Sequence, residues 1–341
     1  MKVVIYTLLF ITIYACNPSS DNGLRLRLNP KETKFRWGDS LKIELKNNQN
    51  KSLTNLKYRL NDQPIDPLYI FKDERLGNHK ISIQGEADGK AFRLTKNISL
   101  LADSPPKLYT YKILSTFPHD IKAYTQGLEF FGDDLYESTG LKGQSSLRKV
   151  NFQNGEVETL KPLADEYFGE GLTLMNDQIF QLTWLSNFGF VYDRENMEVT
   201  RKFDYGASKQ GWGLCNDGEF LYKSDGSNRI YTLDSDNLRE IDYIEVMTHK
   251  SALTKINELE WVNGKIYANT YQFEKEVGVI IDPKSGKVEG VIDFSGLKDQ
   301  VDQHPKLDVL NGIAYHPKRN SFFVTGKNWS TLFEVQIFEK K

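Results

Sequence analysis

The chain has 341 residues, a formal net charge of −2 and a pI near 6.3, so bulk charge points neither to nucleic acid nor to an acidic membrane surface. It is long enough for one or two domains with a substantial core. Its 17 tyrosines and 20 phenylalanines stand in alternating runs, which favours an all-β chain.

After Lys2, the thirteen-residue apolar run from Val3 to Ala15 is too short to span a bilayer but suits a signal peptide. It ends Ile13-Tyr14-Ala15-Cys16, which resembles the lipobox of bacterial lipoproteins, with Cys16 as the lipidated residue. Residues 1–16 are then the leader and 17–23 a polar tether. An ordinary secretory leader with an incidental cysteine is the alternative. Lipidation of Cys16 leaves Cys215 without a disulfide partner, so it is expected to be a free, buried thiol.

Residues 24–103 alternate apolar and charged side chains: Leu24, Leu26 and Leu28 with Arg25 and Arg27, Leu41, Ile43 and Leu45 with Lys42 and Glu44, Leu56, Tyr58 and Leu60 with Lys57 and Arg59. Period-two strands divided by Gly-Asp and Asn-Asp turns predict an antiparallel, immunoglobulin-like β-sandwich. Trp37 is placed in its core, and nothing in it has catalytic character. Pro105 and Pro106 mark the linker to the next domain.

From residue 108 to 341 one phrase recurs: a Gly-Leu opening, a short strand, a tight turn and a second strand. It opens at Ala123 and returns from Glu170, Trp212, Asn257 and Asn311. Aligned on Gly127, Gly171, Gly213, Glu258 and Gly312, the spacings are 44, 42, 45 and 54 residues. Such a period of short strands predicts a β-propeller. Third strands follow at 147–150, 188–192, 229–233, 277–281 and 331–336, and four repeats continue into a fourth. The fifth stops after its third strand. The lone strand 109–117 can supply the missing one, which closes a five-bladed ring and leaves no open sheet edge. Residues 298–306 are an insertion that stretches the last period; helix and loop both remain open for it.

Ring closure gathers the residues that flank the repeated phrase, namely Gln126, Glu170, Trp212, Asn257 and Asn311. Trp184, Tyr271 and Lys327 stand just past the second strands and can return to the same mouth. Read singly, each has an ordinary structural role: turn, cap, blade packing or surface lysine. Trp261, alternating with Leu259, reads as core.

Six segments in this order, Tyr-Thr-Gln-Gly-Leu128, Phe-Gly-Glu-Gly-Leu-Thr173, Gly-Trp-Gly-Leu214, Asn-Glu-Leu-Glu260, Tyr-Ala-Asn-Thr-Tyr271 and Thr-Gly-Lys-Asn-Trp329, resemble the plant and bacterial glutaminyl-peptide cyclotransferases. The resemblance covers about residues 108–338 and excludes the N-terminal sandwich. It implies a five-bladed propeller that converts an N-terminal glutamine to pyroglutamate with release of ammonia. It further implies Glu170 as acid and base, with Lys327 and Asn257 beside it in catalysis. Gln126, Trp184, Trp212, Tyr271 and Tyr124 are implied as substrate-binding residues. Tyr271 stands where plant members tend to carry tryptophan, and Tyr124 where phenylalanine is usual, so both keep an aromatic face.

The five histidines show no ligand spacing, and no Gly-x-Ser-x-Gly or phosphate loop is present. No catalytic metal or cofactor is expected, with a structural calcium ion in the propeller channel allowed for. Asp133-Asp134 and Asp234-Ser-Asp236 are read as turns. The expected partners are peptides or proteins with an N-terminal glutamine, the expected state a monomer, and the expected location the bacterial cell envelope through the lipid anchor. The alternative is a non-catalytic propeller that binds peptide termini or another envelope ligand, since fold alone does not fix function.

Overall fold

The computed structural model describes residues 20–21 and 23–341. The leader and the lipidation site Cys16 lie outside the described residues. The structure is all-β, with one single-turn 3-10 helix at Lys298–Gln300 among the described residues. By internal contacts the chain divides into two units, one reaching Lys72 and including Asn78–Ser99, the other comprising Asp73–Gly77 and Leu100–Lys341.

In the first unit, one sheet orders Ser20–Asp21, Leu24–Asn29, Ser40–Asn47 and Leu68–Ile70; the other orders Lys34–Arg36, Lys90–Leu101, Gly77–Ala87, Leu53–Leu60 and Gln63–Pro64. Alternation buries Leu24, Leu26, Leu28, Leu41 and Ile43 from one sheet and Phe35, Ile81, Ile83 and Leu94 from the other. Phe35 meets Phe71 with ring centroids 5.3 Å apart. Trp37 is a correction to the expected core. It falls in the turn after Lys34–Arg36, where alternation lapses, and is only half-buried while Phe35 takes the inward place. Leu56 is likewise exposed, because a register shift between Thr54 and Lys57 breaks the period there.

The second unit is built from five hairpin-based repeats. The first three are four-stranded antiparallel sheets, Thr125–Phe131 to Glu156–Pro162, Gly169–Met175 to Val199–Asp204, and Leu214–Asn216 to Glu240–Glu245. The fourth, Ile256–Val262 to Val288–Asp293, and the fifth, Leu310–His316 to Thr331–Glu339, share one eight-stranded sheet. The join is the strand Lys107–Pro118. It runs antiparallel to Thr331–Glu339, from Tyr109 opposite Glu339 to Pro118 opposite Thr331, and parallel to Gly290–Ile292 over Lys107–Tyr109. The strand that comes first in this unit therefore completes the last repeat, and that edge is paired.

The innermost strands of successive repeats lie against one another, and the fifth lies against the first. Five apolar clusters fill the seams between neighbouring repeats. Phe130 and Phe152 of the first meet Phe323 and Leu332 of the fifth, and the other four seams follow the same plan. Backbones at the centre approach so closely that a side chain is excluded. A Cβ on Gly127 would stand 2.5 Å from Leu172 N, and one on Gly213 would stand 2.0 Å from Asn257 O. This is the physical origin of the recurring Gly-Leu phrase.

Cys215 is a free cysteine in the seam between the third and fourth repeats. The Asp234 turn spends its carboxylate on the backbone N–H groups of Asp236 and Asn237.

Candidate active site

The inner strands do more than pack. Their pairing slips at one place each, between Thr125 and Gly127, Gly169 and Leu172, Ile256 and Leu259, and Leu310 and Ile313. Gln126, Glu170, Asn257 and Asn311 occupy these bulges. A bulge turns a side chain out of the strict alternation of the strand, which frees these four to leave the sheet plane at the same end of the repeats. In the third repeat the equivalent stretch never joins the strand, and Trp212 precedes Leu214–Asn216.

A cavity of about 250 Å³ lies there, lined by all eight residues expected from the sequence, Glu170, Lys327, Asn257, Gln126, Trp184, Trp212, Tyr271 and Tyr124, with Phe168 added. Asn311 does not line it. It is fully buried, and its amide N–H donates to Gln126 Oε1 at 3.0 Å and to Thr125 O. That bond leaves the Gln126 amide nitrogen as the end available to a ligand.

Glu170 is 5 % exposed and Lys327 3 %. Burial pushes the Glu170 carboxyl well above the usual carboxylate range, with the Lys327 charge pulling the other way. Burial likewise lowers the Lys327 ammonium, and the charges of Glu170 and Asp308 hold it up. No ion pair within 4.0 Å joins Glu170 and Lys327 among the described residues. The two act on each other across the cavity, with room between them. The Lys327 ammonium instead lies 4.8 Å from the ring centroid of Tyr124 and 4.9 Å from that of Tyr271, and these aromatic faces hold it as a cation. Glu170 Oε2 and Asn257 Oδ1 are buried without a hydrogen-bond partner. Leaving such an atom unmet costs about 1–3 kcal/mol, so these two mark where a ligand's donors belong.

The walls are aromatic. Phe168 packs edge-on against Tyr124 and Trp184, with centroids 6.2 and 5.5 Å apart, and Trp212 meets Tyr271 edge-on at 6.0 Å. Gln210 Oε1 accepts the indole N–H of both Trp184, at 3.0 Å, and Trp212, at 2.9 Å. Lys223 fixes Gln210 in turn by donating to its backbone carbonyl at 2.9 Å. Tyr124 donates its hydroxyl to Asp308 at 2.9 Å. Gly226, with φ of +78°, makes room for Trp212, since a Cβ would stand 2.5 Å from the indole ring.

Phe168, Gln210 and Asp308 were missed in the sequence. Phe168 carried a signal, as an aromatic two residues before Glu170. Gln210 and Asp308 lie in loops outside the repeated phrase, and only tertiary structure brings them in. Trp329 is fully buried and donates its indole N–H to Asp308 O, which makes it a support for the Lys327 turn. Among the described residues no group of three or more histidine, cysteine or carboxylate side chains is placed to hold a metal ion.

A closed cycle of β-sheets with a desolvated acid and amine facing each other across a small aromatic-walled cavity defines a class: an enzyme pocket for one residue-sized, polar substrate group. Its particular kind follows from three comparisons. A family model for glutamine cyclotransferase matches residues 90–337. The glutaminyl-peptide cyclotransferase of Arabidopsis thaliana is 38% identical over 256 residues, 74% of this chain and 76% of the plant protein. Among solved structures, the glutaminyl cyclase of Myxococcus xanthus superposes with a TM-score of 0.64 at 33% identity, over 69% of this chain and 100% of its own. The chain belongs to the glutamine cyclotransferase family.

Proposed function

We infer that this protein is a glutaminyl-peptide cyclotransferase whose chemistry takes place between Glu170 and Lys327. The five repeats are read as the blades of a β-propeller and the first unit as an immunoglobulin-like sandwich. The reaction joins the substrate's α-amine nitrogen to its own side-chain amide carbon. The C–NH2 bond breaks, and ammonia leaves. A peptide α-amine has a pKa of about 8, so an unprotonated fraction is present at neutral pH. What the protein must supply is a curled substrate, a place for the amine proton and a proton for the leaving nitrogen.

Glu170 takes the proton from the attacking amine and returns it to the departing ammonia. A carboxyl that burial raises well above its ordinary range holds a proton more readily than an exposed one, and a positioned group of this kind contributes about 10²–10⁴ in rate. The Lys327 ammonium faces the oxygen that becomes negative in the tetrahedral intermediate. Asn257 Oδ1 and the Gln126 amide nitrogen meet the N–H and C=O groups of the substrate. Trp184, Trp212, Tyr271, Tyr124 and Phe168 keep the glutaminyl side chain folded back and exclude water, so that amine and carbonyl stay in contact. The observation that carries this reading is the unpaired, buried Glu170 carboxylate set opposite Lys327 inside the cavity of a family member.

The test is ammonia release from a short Gln-initiated peptide, with Glu170→Gln as the control. That variant is expected to lose at least about a hundredfold in kcat while keeping its circular dichroism spectrum. Wild-type-like turnover would remove Glu170 from the mechanism. A chelator is expected to leave the rate unchanged, because no step is assigned to a metal; a calcium ion in the channel would be structural. Envelope location through a lipid on Cys16 is tested by Cys16→Ser, which should move the protein from membrane to soluble fraction.

A further inference from the structure

A second, larger hollow of about 670 Å³ adjoins the first, and Tyr124 lines both. Its walls carry Lys122, Lys306, His304, Gln144 and Asn328, and no carboxylate. Both lysines are exposed, and neither has an ion-pair partner among the described residues. The acids nearest in sequence are engaged by groups other than the two ammonium ions. Asp308 accepts the Tyr124 hydroxyl and the Val309 N–H; Asp120 pairs with Arg148 at 2.9 Å through Oδ2 and accepts the Lys122 backbone N–H through Oδ1, without an ion pair to the Lys122 ammonium.

One wall is the insertion between the fourth and fifth repeats. It is pinned in place. His304 Nε2 bonds Asn328 O at 2.8 Å, the Asp302 N–H donates to Ser330 Oγ at 2.9 Å, and the Asp308 N–H donates to Lys327 O. The opposite wall is tied to the same turn, since Asn328 donates to the carbonyls of Ile121 and Ala123. The hollow is thus preformed on the backbone that presents Lys327.

We propose that this groove holds the substrate residues following the terminal glutamine and selects chains with an acidic side chain there. The proposal rests on the cyclotransferase reading of the inner cavity. A cavity filled by one glutaminyl residue must release the rest of the chain past its rim. The groove begins at that rim, is large enough for further residues, and offers two unneutralised ammonium groups to whatever lies in it. An Asp or Glu side chain in the second or third position meets Lys122 and Lys306; a Lys or Arg there meets repulsion.

The test compares kcat/KM for three peptides alike except at the second and third positions, which are acidic, neutral or basic. At low ionic strength the acidic peptide is expected to lead the neutral one by about three- to tenfold, the range two partly exposed charge pairs support. At about 1 M salt, where the screening length is about 3 Å, the lead should vanish. Lys122→Ala with Lys306→Ala should bring the acidic-to-neutral ratio to about one, Lys122→Glu with Lys306→Glu should invert it, and arginine at both positions should keep it. Equal rates for acidic and neutral peptides in the wild type, or a lead that survives the double alanine variant, would overturn the proposal and leave the cyclotransferase intact. Failure of all three peptides to release ammonia would instead sink the underlying activity.

Discussion

Glu170 and Lys327 are each withdrawn from water and kept out of contact, so each feels the other only as a charge across a gap. The Lys327 charge lowers the Glu170 carboxyl against the upward push of burial. Removing that charge in Lys327→Met lets the Glu170 pKa rise further. The acid limb of the pH–kcat profile should therefore move to higher pH, besides any fall in the plateau. The substrate amine titrates alike in both enzymes, so an unmoved limb would dissociate Lys327 from Glu170. Gln210 illustrates a different kind of residue. One amide oxygen holds two indole rings, and a Gln210→Leu variant loses both bonds. At about 1 kcal/mol for each bond, KM should rise by up to about thirtyfold, while the thermal midpoint falls by no more than about 8 °C. An unchanged KM would make the pairing incidental. Neither Gln210 nor Asp308 was legible in the sequence, because their partners come from loops with no shared spacing. Glu170, Asn257 and Lys327 were legible only as a set, since each alone is a common turn or surface residue.

At the scale of the strand, the bulged Gly-Leu opening does two tasks at once. The glycine lets neighbouring backbones meet at the centre, and the residue before it leaves the sheet, to enter the cavity in the first three repeats and to hold Gln126 in the fifth. That coupling is why the repeats could be found from the same letters that mark the site. Where the fourth repeat carries Glu258 in place of glycine, its carboxyl reaches across the centre to accept the N–H of Ile313 at 2.9 Å and of Leu128 at 3.3 Å. Burial raises this carboxyl well above the ordinary range, with the two backbone N–H groups opposing the rise. Gly213→Ala tests the strand packing. A methyl group 2.0 Å from Asn257 O has no room, and the obstacle is backbone. A loss of at least about 3 kcal/mol is expected in denaturant unfolding, with activity falling too, because Asn257 shifts. Gly132→Ala is the control. Nothing lies within 4 Å of its Cβ, so only its φ of +66° opposes the change, at about 1 kcal/mol. Equal losses in the two variants would refute the central contact. The insertion 298–306 was located by its length, but its form as a single 3-10 turn and a pinned loop depends on bonds to Asn328 and Ser330, far along the chain.

The whole molecule depends on seams that belong to two repeats each. The seam between the fifth and first repeats also carries a buried polar link. His119 bonds Trp329 O at 2.8 Å and Glu137 at 3.1 Å, and Arg148 stands 3.7 Å from the same carboxylate. Burial alone would lower His119, but Glu137 and the Trp329 carbonyl raise it above 6.5 on balance. A histidine raised in the folded state stabilises fully below its unfolded pKa, and this contribution is lost as pH climbs through the folded value. Thermal stability should thus fall as pH rises above about 6.5, by at most about 1.4 kcal/mol per pH unit for one proton. His119→Gln should remove that part of the slope; an unaltered slope would exclude the pair as its source. The ring order was legible from the period and from the incomplete fifth repeat, whereas this link joins residues more than 200 apart and left no trace in spacing. The strand Lys107–Pro118 carries one further implication, for how the polypeptide is made. It leaves the ribosome before any of the repeats, yet its antiparallel partner, Thr331–Glu339, is made only after the hairpins of all five. Until then only the short parallel contact of Lys107–Tyr109 with Gly290–Ile292 is open to it, so a nascent chain stalled short of Thr331 would leave the fifth repeat unfinished and its enzymatic capacity unrealised.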